Sequence, residues 1–296
     1  MMRLPDGARL ERAADGLDRL VLAARGGEAR VYTHGAHVTH FQPEGTRPVL
    51  MMSSQARFEA GTPGKPIRGG VPICFPWFGP RAGHAQAPMH GLARLLTWQI
   101  ESVTQEDQGR LCATLALASN DYTRSVFAQD FALRYTVTVG PSLEMALTVR
   151  NTGPGPLACE VALHSYLAVS DARQVLIRGL ERAAYLDKTE SLKRKVAGED
   201  PIVIAGETDR VYLATRATVT LRDPGWRRCI VVRKSGSDST VVWNPWIEKA
   251  RAIEDLGDDD WQRMICIETA NVAGDALTLG AGAEHVTVAA ISVEPE

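Results

Sequence analysis

The sequence predicts an all-β fold of the sandwich or barrel kind, and three observations lead there. Apolar and polar residues alternate at period two in run after run, the spacing of side chains on the two faces of a strand. Turn-forming clusters such as Asn151-Thr152-Gly153-Pro154-Gly155, Asp223-Pro224-Gly225 and Ser235-Gly236-Ser237-Asp238 separate the runs. Long amphipathic helices alternating with strands are absent, which disfavours a doubly wound α/β arrangement.

Taken in order, residues 20–23, 29–32, 37–41, 98–103 and 111–117 read as strands. The clearest pattern comes next. Phe131, Leu133, Tyr135, Val137 and Val139 share one face, and after Gly140-Pro141-Ser142 the alternation resumes with Leu143, Met145, Leu147 and Val149. Two such runs across a Gly-Pro turn predict a hairpin. Further strands are expected over residues 159–169, 217–221, 229–233, 264–268 and 286–293. One helix is expected over residues 246–256, capped by Asn244, with Pro245 at its first position and Gly257 at its end. No linker or internal repeat interrupts the chain, and the Asp258-Asp259-Asp260 run reads as a solvated loop. Length alone, at roughly 150 residues per domain, suggests two domains. The unbroken strand pattern instead predicts one domain over residues 1–296.

Composition limits the function. With 45% hydrophobic and 23% charged residues the chain is neither disordered nor fibrous. Its net charge of −2 gives no general attraction to nucleic acid or to an anionic membrane, so neither is expected as a partner. Any bound anion must be held by a local arginine cluster. The first fifteen residues lack an apolar stretch behind a basic one, and no apolar run is long enough to span a membrane. Five widely spaced cysteines without a C-x-x-C pair read as reduced thiols, so a cytoplasmic location is expected.

Candidate chemistry is concentrated in a few segments. Residues 66–80 crowd four prolines, three glycines and three aromatics around Arg68. Regular pairing does not survive so many prolines, so a rigid, aromatically packed loop is expected. It either caps the core or fixes Arg68 toward a ligand. Downstream lie Gln86, His90 and Arg94. Guanidinium forks match phosphate or carboxylate oxygens, although pairing with a surface carboxylate is the commoner fate of an arginine. His164 sits in an apolar strand pattern, where a histidine is usually a satisfied sheet residue. Glu268, flanked by Ile267, Cys266 and Ile265, stands out more, because an unpaired carboxylate is costly to bury. Desolvation would raise its pKa toward that of a general base at neutral pH, unless it faces solvent or an arginine. Trp243 and Trp246 read as a sugar platform or as core, and Asp209 as an ordinary aspartate at a strand start or as a grip on hydroxyls. His34, His37 and His40 imitate a metal stripe. A spacing of three changes face on a strand, however, and His34 and His40 would lie about 20 Å apart at ~3.3 Å per residue. No metal is therefore expected. No phosphate-binding loop, dinucleotide fingerprint or nucleophile elbow is present.

Together these segments resemble a known family. Arg68-Gly69-Gly70-Val71-Pro72-Ile73-Cys74-Phe75-Pro76-Trp77-Phe78-Gly79, His90-Gly91-Leu92-Ala93-Arg94, Leu163-His164-Ser165-Tyr166, Asp209-Arg210-Val211-Tyr212, Val242-Trp243-Asn244-Pro245-Trp246 and Ile267-Glu268-Thr269-Ala270 occur in that order. They resemble the glucose-6-phosphate 1-epimerases, or hexose-6-phosphate mutarotases, of the aldose 1-epimerase superfamily, from about residue 35 to the C-terminus. Phe75 and Leu92 stand where Trp and Phe are common in that family; both are apolar exchanges. The resemblance implies a large antiparallel β-sandwich, a supersandwich of the galactose mutarotase kind, with one or two short helices and a cleft on one face. It implies catalysis by His164 and Glu268, and sugar and phosphate contacts from Arg68, His90, Arg94 and Asp209, with Gln86 as a further candidate. It implies a monomer, no cofactor, and a small phosphosugar as the partner. Glu268 as carboxylate would take the C1 hydroxyl proton and His164 as imidazolium would protonate the ring oxygen. Rival readings are an epimerase of unphosphorylated aldoses, a carbohydrate-binding module without turnover, and a glycoside hydrolase or lyase, for which a second carboxylate is wanted.

Overall fold

A computed structural model describes residues 3–296. The expected all-β architecture is found. Strands dominate, and the only α-helices among the described residues are Asp121–Val126 and Trp246–Ala252. Two eight-stranded antiparallel sheets make up most of the molecule. The first runs Lys193–Val196, Ala184–Asp187, Thr208–Tyr212, Ser239–Asn244, Met264–Asn271, Val161–Leu163 and Ile73–Cys74, with Tyr166–Ala168 also pairing to Met264–Asn271. The second runs Leu176–Arg178, Val219–Asp223, Arg228–Ser235, Glu284–Pro295, Leu143–Asn151, Phe131–Val139, Leu111–Ala118 and Gln99–Gln105. The first four strands, Ala8–Arg12 to His37–Pro43, form a separate sheet.

The hairpin read from period-two alternation is present, with Val139 opposite Leu143. Its inward residues, among them Leu133, Tyr135, Val137, Met145 and Leu147, share one core with Ile265 and Ile267 of the first sheet. Fully burying each such side chain contributes roughly 1.5–3 kcal/mol, which binds the two sheets face to face. Alternation then decides what the same strand shows on its other side. Met264 and Cys266 turn away from this core into a smaller cluster with Tyr166, Trp243 and Trp261. Glu268 continues that second row.

Four expectations are corrected. Residues 159–169 form not one strand but three, Leu157–Cys159, Val161–Leu163 and Tyr166–Ala168, leaving Glu160 and His164-Ser165 outside the ladders. The Glu160 carboxylate instead accepts the backbone N–H groups of Phe78 and Ala273. The second helix ends at Ala252, and Pro245 precedes its first residue. Asn244 accepts the Trp246 N–H as foreseen, although Trp246 has φ +58°, and the extended Ile253 closes the helix. Asp258 and Asp259 are exposed as expected, but Asp260 is half-buried, its carboxylate accepting Ser53 Oγ and the N–H groups of Ser54 and Gly257. Short pairing also survives in the proline-rich segment, where Ile73 and Cys74 pair with Leu163 and Ala162.

That segment is otherwise held as expected. Phe75 packs edge-on against Phe131 at 4.9 Å, and Trp77 Nε1 donates to Pro88 O at 2.9 Å. Gly91 crosses directly beneath it. A Cβ on Gly91 would lie 2.0 Å from Phe75 O, and φ there is +79°. Gly91→Ala is therefore expected to destabilise the fold by about 2–3 kcal/mol, read as a lower urea midpoint; a midpoint equal to the parent's refutes this packing argument.

His37 pins the same segment from the other side, its Nε2 donating to Gly69 O at 2.7 Å. Burial holds the imidazole down to about 3. The unfolded chain binds this proton near pH 6.5 and the folded one does not. Stability is therefore full above pH 6.5 and falls toward pH 3, at up to about 1.4 kcal/mol per pH unit. Urea titrations of the parent and His37→Gln between pH 4 and 7 measure it: the variant's slope should be shallower, and parallel slopes would remove His37 from the account.

Candidate active site

Directly opposed residues of antiparallel strands place their side chains on one face. Asp209 opposes Trp243, Trp243 opposes Cys266, and Cys266 opposes Tyr166, so these four make one row across the first sheet, away from the main core. In the adjoining row Val211 opposes Val241, which opposes Glu268. The strand beyond Glu268 is interrupted, yet its register is the same on both sides: Leu163 opposes Thr269 and Tyr166 opposes Cys266. His164 therefore stands across from Glu268. Its N–H is taken by Pro72 O and that of Tyr166 by Gly70 O, so the proline-rich segment closes the gap in the ladder.

His164 Nε2 lies 3.4 Å from Glu268 Oε1. Both side chains are almost wholly enclosed, at 5% and 1% exposure. Glu268 Oε2 and His164 Nδ1 are buried without a hydrogen-bond partner among the described residues, which is costly unless a polar ligand is to meet them. Aromatic rings fix the imidazole. Tyr166 stacks on it at 4.8 Å, and Trp243 and His90 meet it edge-on at 5.8 and 5.6 Å. His90 Nδ1 accepts the Gly79 N–H, which leaves Nε2 as the ring's donor when His90 is neutral.

Electrostatics push the pair toward neutrality. Burial, reinforced by the Arg94, Arg68 and Lys188 charges, holds His164 well below the usual imidazole range. Burial pushes Glu268 well above the usual carboxylate range, opposed by Lys188 and Arg94 and aided by Asp209. The imidazolium expected from the sequence is thus disfavoured in the free protein. Both directions favour the uncharged form of each group.

Around this pair the structure gathers most of the sequence candidates. Arg68 donates to Tyr166 Oη at 3.0 Å and ion-pairs with Asp255 at 3.0 Å. Arg94, 5% exposed, donates to Met89 O; among the described residues no carboxylate lies within ion-pair distance, and its Nε has no partner. Asp209 is buried and paired to Lys188 at 3.0 Å. Gln86 lies on an exposed loop, and no hydrogen bond among the described residues ties its side chain to the others. Trp246 packs on Trp261 rather than on His164. Sequence reasoning missed Lys188 and Asp255; each is a charged residue in a turn with no motif around it, and no signal marked either. Elsewhere, a furrow of about 520 Å³ crosses the second sheet, but its Arg134 and Arg150 are paired with Glu101 and Glu284.

Residues 18–292 match the family model described as aldose 1-epimerase. A protein of Cenchrus ciliaris named "Putative glucose-6-phosphate 1-epimerase" is 35% identical over 97% of this chain and 88% of its own. One of the same name from Escherichia coli K12 is 32% identical over 88% and 85%. The crystal structure of a "putative mutarotase" from Salmonella typhimurium superimposes with a TM-score of 0.90 at 30% identity, covering 100% of this chain and 96% of that one. A galactose 1-epimerase from Lactobacillus acidophilus, at 11% identity and a TM-score of 0.73 over 99% of each chain, shares the fold. These likenesses show the family: the chain belongs to the aldose 1-epimerase family and is an epimerase.

Proposed function

We propose that the protein interconverts the α and β anomers of glucose 6-phosphate. The observation that carries the phosphate is Arg94. A guanidinium stays charged, and a buried charge without a counter-ion is costly, so the site is built for an anionic group. Arg68 supplies a second fork beside it, partly offset by Asp255.

The acid–base pair suits mutarotation for a chemical reason. The C1 hydroxyl and the ring oxygen are bonded to the same carbon, so the base for one and the acid for the other must nearly touch, as His164 and Glu268 do. A glycoside hydrolase instead wants two carboxyl groups about 5 Å or more apart. Bound phosphate, of about −1.5 to −2 charge, offsets the arginines that hold His164 down. A proton then moves from the carboxyl to the imidazole. Glu268 takes the C1 hydroxyl proton as the C1–ring oxygen bond breaks, and His164 gives its proton to the ring oxygen. The open aldehyde turns about C1–C2, and the steps reverse on the other carbonyl face. His90 Nε2 and Asp209 hold sugar hydroxyls.

Arg68→Ala tests the phosphate role. Loss of a charge-assisted contact of about 1.5–3 kcal/mol should lower kcat/KM for glucose 6-phosphate roughly 10–100-fold, with little change for glucose. Exchange spectroscopy by NMR on both sugars measures it. Equal losses on the two would leave an epimerase of free aldoses as the better reading.

A further inference from the structure

Lys188 has no part in the mechanism above, yet three observations place it in the site. It follows the strand Ala184–Asp187, and its Nζ lies 3.0 Å from Asp209 Oδ2. The same ammonium sits over the ring of Phe78, 5.1 Å from its centroid, and Phe78 in turn meets His90 edge-on at 4.8 Å. Its side chain is 28% exposed, so it bridges the enclosed row of residues and the solvent. An exposed ion pair contributes little to stability, but a cation held by a buried aspartate beside an acid–base pair acts on that pair.

We propose that Lys188 is a positioning residue: it locks Asp209 toward the sugar and cancels the aspartate's charge so that Glu268 can work as a carboxylate. The proposal rests on Glu268 being the base. The groups facing Glu268 are His164 across the ladder, Asp209 and Lys188 along the sheet, Arg94, and the Cys74 and Cys266 thiols, whose pKa values burial pushes up. Within this set Lys188 and Arg94 favour the ionised carboxylate, while burial and Asp209 oppose it. Removing Lys188 withdraws one favourable charge and leaves the opposing one of Asp209 uncompensated.

The test is the pH profile of kcat for glucose 6-phosphate anomer exchange. In Lys188→Met the acid limb should move up by about one pH unit or more. Lys188→Arg should restore it, and Lys188→Met combined with Asp209→Asn should return the limb toward the parent's position while KM stays raised. If Lys188→Met fails to fold, Lys188→Gln, which keeps a donor to Asp209 without the charge, carries the same measurement. A lower kcat or raised KM with an unmoved limb overturns the proposal and leaves Glu268 as base intact. A Glu268→Gln variant that remains active fails the underlying reading instead.

Discussion

Glu268→Gln is expected to slow anomer exchange by about 10²–10⁴-fold while the folded protein becomes no less stable. The amide keeps the shape of the carboxyl but cannot take the C1 hydroxyl proton. On stability the two pKa directions give the sign. The folded protein holds the Glu268 proton more tightly than the unfolded chain, whose carboxyl titrates near 4.5. In the parent, stability is therefore complete below pH 4.5 and is lost as pH rises toward the raised folded value. Glutamine carries no such loss, so the variant's advantage should grow as pH climbs above 4.5. NMR exchange rates and urea midpoints at pH 5 and 8 read both effects. A near-normal rate removes Glu268 from the mechanism, and a variant less stable at pH 8 than at pH 5, relative to the parent, refutes its burial as a strained acid. A stabilising change that abolishes activity is what a site kept at the expense of stability should give.

How much of this was legible beforehand follows from which physical signals are local. The Phe131–Val139 and Leu143–Asn151 hairpin was readable because one face is apolar and the turn is written into Gly140-Pro141-Ser142. Strands buried on both faces or carrying charge were not. Thr208–Tyr212 was read only as a strand start at Asp209, and Ser239–Asn244 was missed, although both flank the site, because threonine, serine and arginine blur their alternation. Lys193–Val196, three consecutive basic residues at a sheet edge, has no apolar period at all. The interruption at His164-Ser165 was read as continuous strand, since nothing in the mostly apolar run 159–169 says that the ladder breaks there. Glu268 drew suspicion correctly as a carboxylate out of place, but its meeting with His164 depends on a register shared by Leu163–Thr269 and Tyr166–Cys266, which is a property of two strands together. Lys188 is further still from legibility, because its place depends on a turn and on a strand the sequence did not show.

The double variant His164→Gln with Glu268→Gln is expected to cost little more than the worse of the two single changes. His164→Gln alone should lose about 10²–10⁴-fold, as a positioned acid does. Were the two side chains independent, the double variant would lose the product of both. They are not, because the two groups lie 3.4 Å apart in one enclosed site and burial drives both toward their uncharged forms. Opening the ring requires one proton to arrive as another leaves, and with either partner gone the remaining group has no counterpart to exchange with. Residues acting as one unit show this lack of additivity. Single-turnover anomer exchange of the parent, both single variants and the double variant closes the cycle. Losses that multiply would mean that the imidazole and the carboxyl serve separate steps, and that their contact across the interrupted ladder is packing alone.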